Sequence, residues 1–110
     1  MRILFDQGTP VPLRQALSPH EVSTAFERGW STLGNGALLE AAEREFELLI
    51  TTDRNIRHQQ PLAGRRLAIL VLPTTSWSRI ERHVHEIGRE VASIRPGEYR
   101  ELAWPDQVQA

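Results

Sequence analysis

Two acids stand just past apolar runs in this chain, where a carboxylate can do chemistry. Asp6 follows Ile3-Leu4-Phe5 directly, and Asp53 follows Leu48-Leu49-Ile50 after Thr51-Thr52. The remaining aspartate, Asp106, lies in the tail. If the two runs are parallel neighbours in a sheet, Asp6 and Asp53 emerge on the same edge. Carboxylates placed together repel unless a cation lies between them or one takes up a proton. Oxygen-only ligands suit Mg²⁺ or Mn²⁺, which keep several waters and need only one or two protein carboxylates. A structural reading competes with this one, because aspartate is also favoured at helix caps and in turns.

Asn35 and Asn55 are the chain's two asparagines, one at a helix start and the other two residues past Asp53. Each can offer a cation a neutral carbonyl oxygen or donate to a phosphate, and each can equally serve as a cap or turn residue. A basic segment follows: Arg54, Arg57, His58, Arg65 and Arg66 fall within thirteen residues. Arginine binds phosphate oxygens bidentately, which suits a nucleic-acid surface. The same arginines can instead pair with the chain's eleven glutamates on a solvated loop. His83 and His85, two apart on one helix, point in different directions and do not share a metal easily. Trp30, after a glycine, suits either base stacking or a lid on the core. No G-x-S-x-G motif supports serine nucleophile chemistry.

The elements that must position these residues are legible as short runs. Ile3–Phe5, Leu48–Ile50 and Leu67–Leu72 are continuously apolar, the pattern of strands covered on both faces in a parallel sheet. Weaker strands are expected at Glu21–Ser23 and, near an edge, at Tyr99–Leu102. Thr9-Pro10 predicts a cap and first turn for a short helix through Leu13 and Leu17. Asn35 predicts the cap of a helix to about Phe46 that buries Leu38, Leu39, Ala42 and Phe46. Trp77, Ile80, Val84, Ile87 and Val91 step by three and four, which predicts one long helix from Ser76, ended by Pro96-Gly97. Strands alternating with helices imply a three-layer α/β/α domain with a mostly parallel sheet of four to five strands. Residues 103–110 are expected to fray. In such sheets ligands bind outside the carboxyl ends of the strands, where Asp6 and Asp53 fall.

Composition bounds the classes available. The 110 residues suit one domain, with 40% hydrophobic and 25% charged residues, as in soluble globular proteins. No run of about eighteen apolar residues suggests a membrane span, and the opening MRILFDQGTP does not read as a signal peptide. The absence of cysteine removes disulfides and thiolate chemistry and fits the cytoplasm. A net charge of −1 gives no global attraction for nucleic acid, so any such binding needs a local patch. All thirteen basic residues are arginine. That excludes Walker-type phosphate loops and Schiff-base enzymes, which need a lysine; receiver domains and haloacid-dehalogenase-type phosphatases use one too.

The string ILFDQGTP resembles the ILLDENLP-type opening of PIN-like proteins, in particular the small bacterial DUF5615 group. NGALLEAAEREFELLITTDRN resembles that group's middle section: a polar start, a helix with paired alanines, then a strand ending in Thr-x-Asp. Gly29-Trp30 and the HQQPL segment at His58 to Leu62 are similar to features of a subgroup, and the resemblance covers roughly Met1 to Leu72. It implies a PIN-type fold, whose active members are Mg²⁺- or Mn²⁺-dependent ribonucleases, many of them toxins paired with an antitoxin protein and many dimeric. By motif position Asp6 and Asp53 would be the retained metal-site carboxylates. Asn35 and Asn55 fall where relatives often carry acids, and Glu40, further along the helix, would be a third carboxylate. Amides at those two places remove negative charge, which weakens Mg²⁺ binding and any general-base role. The resemblance therefore implies either a ribonuclease with an incomplete acidic site or a related module that binds RNA or a protein without cutting.

Overall fold

A computed structural model describes residues 1–105. Five strands, β1 (Arg2–Phe5), β2 (Glu21–Thr24), β3 (Leu48–Thr51), β4 (Ala68–Val71) and β5 (Tyr99–Glu101), form one all-parallel sheet in the order β2-β1-β3-β4-β5. Five short helices connect them: α1 (Leu13–Ala16), α2 (Asn35–Glu45), α3 (Ile56–Gln59), α4 (Trp77–Glu81) and α5 (Val84–Ser93). The architecture is the expected three-layer α/β/α sandwich.

The continuous apolar runs are explained by two cores. Alternate residues of a strand point to opposite faces, and here both faces are covered. Ile3, Phe5, Leu48, Ile50 and Leu70 pack with Leu13 of α1, Ile80 of α4 and Ile87 and Val91 of α5. On the other face, Leu4, Leu49, Ile69 and Val71 pack with Leu38, Leu39 and Ala42 of α2 and Ile56 of α3. Trp30 meets Phe46 edge-on at 6.1 Å and packs against this second core, so it is placed as a lid. Among the described residues no helix is long and apolar enough to cross a membrane.

Three expectations need correction. The helix predicted from Thr9-Pro10 begins only at Leu13, because the Thr9 hydroxyl is used elsewhere: it lies 2.9 Å from both an Asp6 carboxylate oxygen and the Ile50 carbonyl. The long helix predicted from Ser76 is two helices, broken around Arg82 and His83, and it stops at Ser93 rather than at Pro96-Gly97. Its apolar face nevertheless persists across the break, with Ile80, Ile87 and Val91 buried and Trp77 and Val84 packed beside them. The tail is anchored at Trp104, which is buried in the same core and stacks on the His83 ring with centroids 4.0 Å apart. The remaining part of the expected frayed tail, residues 106–110 with Asp106, lies outside the described residues.

Trp104 closes the core beneath α4 and α5, so its removal should leave a cavity that short helices cannot fill. Trp104→Ala is expected to destabilise the protein by about 3–5 kcal/mol in urea unfolding, whereas Ala103→Gly, next to it and exposed, should change stability far less.

Candidate functional site

The strand order places a topological switch point between β1 and β3. After β1 the chain turns to α1 on one face of the sheet, and after β3 it turns to α3 on the other. Connections that part in this way leave a crevice at the carboxyl ends of the two strands, the usual ligand site of an open parallel sheet. Asp6 and Asp53 leave the sheet at that crevice. The walls are close: a side chain on Gly8 would meet the Thr52 hydroxyl, which would have to turn away to make room.

Asp6 is held by three groups. Its Oδ1 accepts the Gly8 N–H at 3.2 Å and faces the Thr9 hydroxyl, and its Oδ2 accepts the Thr51 hydroxyl. Burial nevertheless raises the Asp6 carboxyl above its ordinary value of 3.8, against the lowering effect of those hydrogen bonds, and the charge of Asp53 adds to the rise. The Thr9 hydroxyl has one proton and two acceptors in reach, Asp6 Oδ1 and the Ile50 carbonyl. A protonated Asp6 resolves that conflict, because it can donate to Thr9 while Thr9 donates onward to Ile50.

Asp53 is held by Thr51, Asn55 and Asn35. Its N–H donates to the Thr51 hydroxyl oxygen at 3.1 Å, so Thr51 links the two acids. Its Oδ1 accepts the Asn55 N–H at 2.9 Å, a turn bond that steers the chain into α3. Its Oδ2 accepts the Asn35 amide at 3.1 Å, and the same amide nitrogen donates to Gln59 Oε1 at 2.6 Å. Asn35 is therefore the first residue of α2 rather than its cap, which is Gly34, and its side chain ties α2 to β3 and α3. Asn55 takes part through its backbone, its carbonyl accepting the His58 and Gln59 N–H groups.

The other candidates are spread more widely. Glu40 is exposed and outside the buried stripe of α2, so the structure does not bring it to the two aspartates. Among the described residues no group of three or more His, Asp or Glu is arranged to hold a metal ion. The basic segment is divided. Arg57 lies 3.5 Å from Glu101 and over the Tyr99 ring, and Glu101 also feels the charges of Arg54 and His58. The Tyr99 hydroxyl, donating to Glu101 at 2.6 Å, is the main cause of that carboxyl's lowered pKa. Burial, then that bond, raise the pKa of Tyr99 itself, and the charge of Asp53 adds a little. These groups thus lie at the carboxyl edge, beyond Asp53. Arg65 and Arg66 lie at the opposite edge: Arg65 faces Glu43 at 3.9 Å, and Arg66 donates its N–H to Glu43 and lines a cleft with Met1 and Ala68.

Sequence reasoning passed over Thr51, Thr9 and Gln59, and the Tyr99–Glu101 pair. A signal was present for Thr51. A hydroxyl buried at the end of an apolar strand needs a partner, and Thr51, the last residue of β3, is fully buried.

A divalent cation fits this donor set only in part. The four oxygens of Asp6 and Asp53 offer roughly eight lone-pair directions. Five protein donors already approach them, those of Gly8, Thr9, Thr51, Asn35 and Asn55. What remains suits an ion that keeps most of its water, as Mg²⁺ does. The chain matches no protein-family model, no curated protein and no solved structure.

The raised pKa of Asp6 has a consequence for stability. The folded state binds this proton more tightly than the unfolded chain. The resulting stabilisation is fully present below pH 3.8 and is lost as pH rises through the raised folded value. Measured by urea unfolding in chelator, the stability of the protein relative to Asp6→Asn should fall across that window and level off above it. Thr51→Val, which removes a bond that favours the ionised form, should move the Asp6 midpoint higher still in a carboxyl NMR titration.

Proposed function

We propose that this protein is a PIN-like, Mg²⁺- or Mn²⁺-dependent endoribonuclease with a two-acid site. The observation that supports this reading is the position of Asp6 and Asp53 together at the switch point between β1 and β3, where their charges interact. The opening and middle motifs that resemble the DUF5615 group supply the activity class.

In this reading Asp6 and Asp53 hold the ion, which supplies an activated water and neutralises charge on the phosphate. Thr51, Thr9 and Gly8 keep the Asp6 carboxylate in one orientation. Asn35 and Asn55 do the same for Asp53. Arg54 and Arg57, exposed beyond Asp53, offer guanidinium groups to the phosphates of an RNA strand. Arg65 and Arg66 contribute nothing to this site from the far edge. A role as the toxin of a toxin–antitoxin pair, with an antitoxin protein as partner, and a homodimeric assembly belong to the same proposal.

One contact favours a second reading, a PIN-like module that binds RNA or a partner protein without catalysis. The Asn35 amide donates to Asp53 Oδ2, so it partly does for that carboxylate what a cation would do. An acid at position 35 would instead face Asp53 with like charge and call for an ion.

Titration of Mn²⁺ into the purified protein separates the two. The nuclease reading expects saturable binding, weakened roughly tenfold or more in Asp6→Asn and in Asp53→Asn, and Mn²⁺-dependent RNA cleavage abolished by Asp53→Asn. Absence of saturable binding in the wild type, together with its appearance in Asn35→Asp, would overturn that reading in favour of the second.

A further inference from the structure

Beside the candidate site a groove of about 470 Å³ runs from Asp6, between the loop at 7–11 and the turn at 24–27. Phe26 and Val11 stand on its rim, 76% and 53% exposed. An exposed phenylalanine on a slack loop would mean little, but this turn is braced on both sides of Phe26. The Ala25 N–H donates to the Phe5 carbonyl at 2.8 Å, extending the ladder of β1. Thr24 and Glu27 exchange reciprocal bonds, each at 3.0 Å, between backbone N–H and side-chain oxygen. Arg14 of α1 then donates to Glu27 at 2.8 Å. The fold therefore holds Phe26 in the solvent at the open side of Asp6.

We infer that this groove is a nucleobase subsite, in which Phe26 stacks an unpaired base of an RNA strand whose backbone passes Asp6 and Asp53. The inference rests on the ribonuclease reading for its ligand class, and three observations select the base as the occupant. The ring area on offer is that of Phe26 with Val11 beside it, too small for a stable protein interface, which needs about 800 Å² from each partner, yet enough for one base. The charged groups lining the groove are Asp6 and Glu27, the latter paired with Arg14, so the groove itself offers no cation to a phosphate but tolerates a neutral ring. The exposed arginines, Arg54 and Arg57, lie beyond Asp53, on the other side of the two acids. Because β2, β1 and β3 are adjacent, base platform, acids and arginines form a row along the carboxyl edge. The end of β2 lies two strand spacings, roughly 10 Å, from that of β3. Base stacking on an aromatic ring is tolerant of sequence, so the subsite distinguishes unpaired from paired RNA rather than one base from another.

The test is equilibrium binding of a fluorescein-labelled single-stranded RNA oligonucleotide, followed by anisotropy in chelator so that neither metal nor cleavage enters. Phe26→Ala is expected to weaken binding roughly tenfold, Phe26→Leu to weaken it similarly, and Phe26→Tyr to preserve it. Unchanged thermal unfolding would show that the exposed position leaves the fold intact. Wild-type binding that Phe26→Ala leaves unchanged would overturn the subsite and leave the nuclease reading standing. So would full binding by Phe26→Leu, which keeps apolar contact but loses the ring. A dimer seen by sedimentation that Phe26→Ala dissociates would instead assign the face to a second copy. Phe26-dependent RNA binding in a protein that takes up no Mn²⁺ would keep the subsite and overturn the metal site. No RNA binding by the wild type would overturn the subsite, while Mn²⁺ uptake, measured separately, decides the metal site.

Discussion

The pairing of β1 with β3 is the constraint on which the rest of the structure depends, and it is not fixed by the usual device. In a half-buried strand, a slip of one residue exposes the apolar face, so alternation sets the register. Here both faces of both strands are buried, and the apolar runs by themselves would pack in several registers. The polar residues at the two ends choose among them. At the amino end Glu47 donates its N–H to the Arg2 carbonyl and accepts the Arg2 N–H on its side chain, both at 2.9 Å. At the carboxyl end the Asp6 N–H reaches the Ile50 carbonyl at 3.2 Å, and Thr51 donates to the Asp6 carboxylate. Asp6 of the candidate site is thus also part of the lock that aligns the central strands.

That double role explains why the site is so heavily hydrogen-bonded. A buried carboxylate facing a second carboxylate is expensive unless donors surround it. The chain supplies them locally, from Gly8 and Thr9 to Asp6 and from Asn55 to Asp53, and twice from a distance, through Thr51 of β3 to Asp6 and Asn35 at the start of α2 to Asp53. The Asn35 contact joins the β3 side of the crevice to the helix that covers the second core. Gln59, receiving the other Asn35 bond, extends the tie to α3.

The strands were legible in the sequence because each is a compact apolar run, and the five expected positions hold to within about two residues of the observed ones. The meeting of Asp6 and Asp53 at one edge followed from parallel pairing alone. Periodicity could not see where a side chain has a better partner than its own helix. Thr9 does not cap α1 because Asp6 and Ile50 compete for its hydroxyl. The helix expected from Ser76 breaks at His83, whose ring stacks on Trp104 and whose Nδ1 lies 2.9 Å from Glu86. Grouping Arg65 and Arg66 with Arg54 and Arg57 failed for a topological reason. Every strand of a parallel sheet starts from the same edge, so the chain must return there before β4, and it carries Arg65 and Arg66 with it.

In the proposed metal site a proton and a cation would compete for the same carboxylate. With Asp6 protonated, its carboxyl hydrogen can go to Thr9, the Thr9 hydrogen to Ile50 and the Thr51 hydrogen to the other carboxyl oxygen, so every group is satisfied without an ion. With Asp6 ionised, Thr9 serves one acceptor at a time, and the crevice holds two negative charges. In the proposed metal site a cation would be favourable only in that second state, and its binding would release the proton, so its affinity would rise with pH through the Asp6 titration. Asn35 acts on the other carboxylate in the opposite sense, because its donated bond occupies Asp53 Oδ2. Of the two amides, Asn35 is therefore the one that would compete with an ion in the proposed metal site. Asn55, engaged through its backbone, shapes the turn into α3 whether or not an ion is bound.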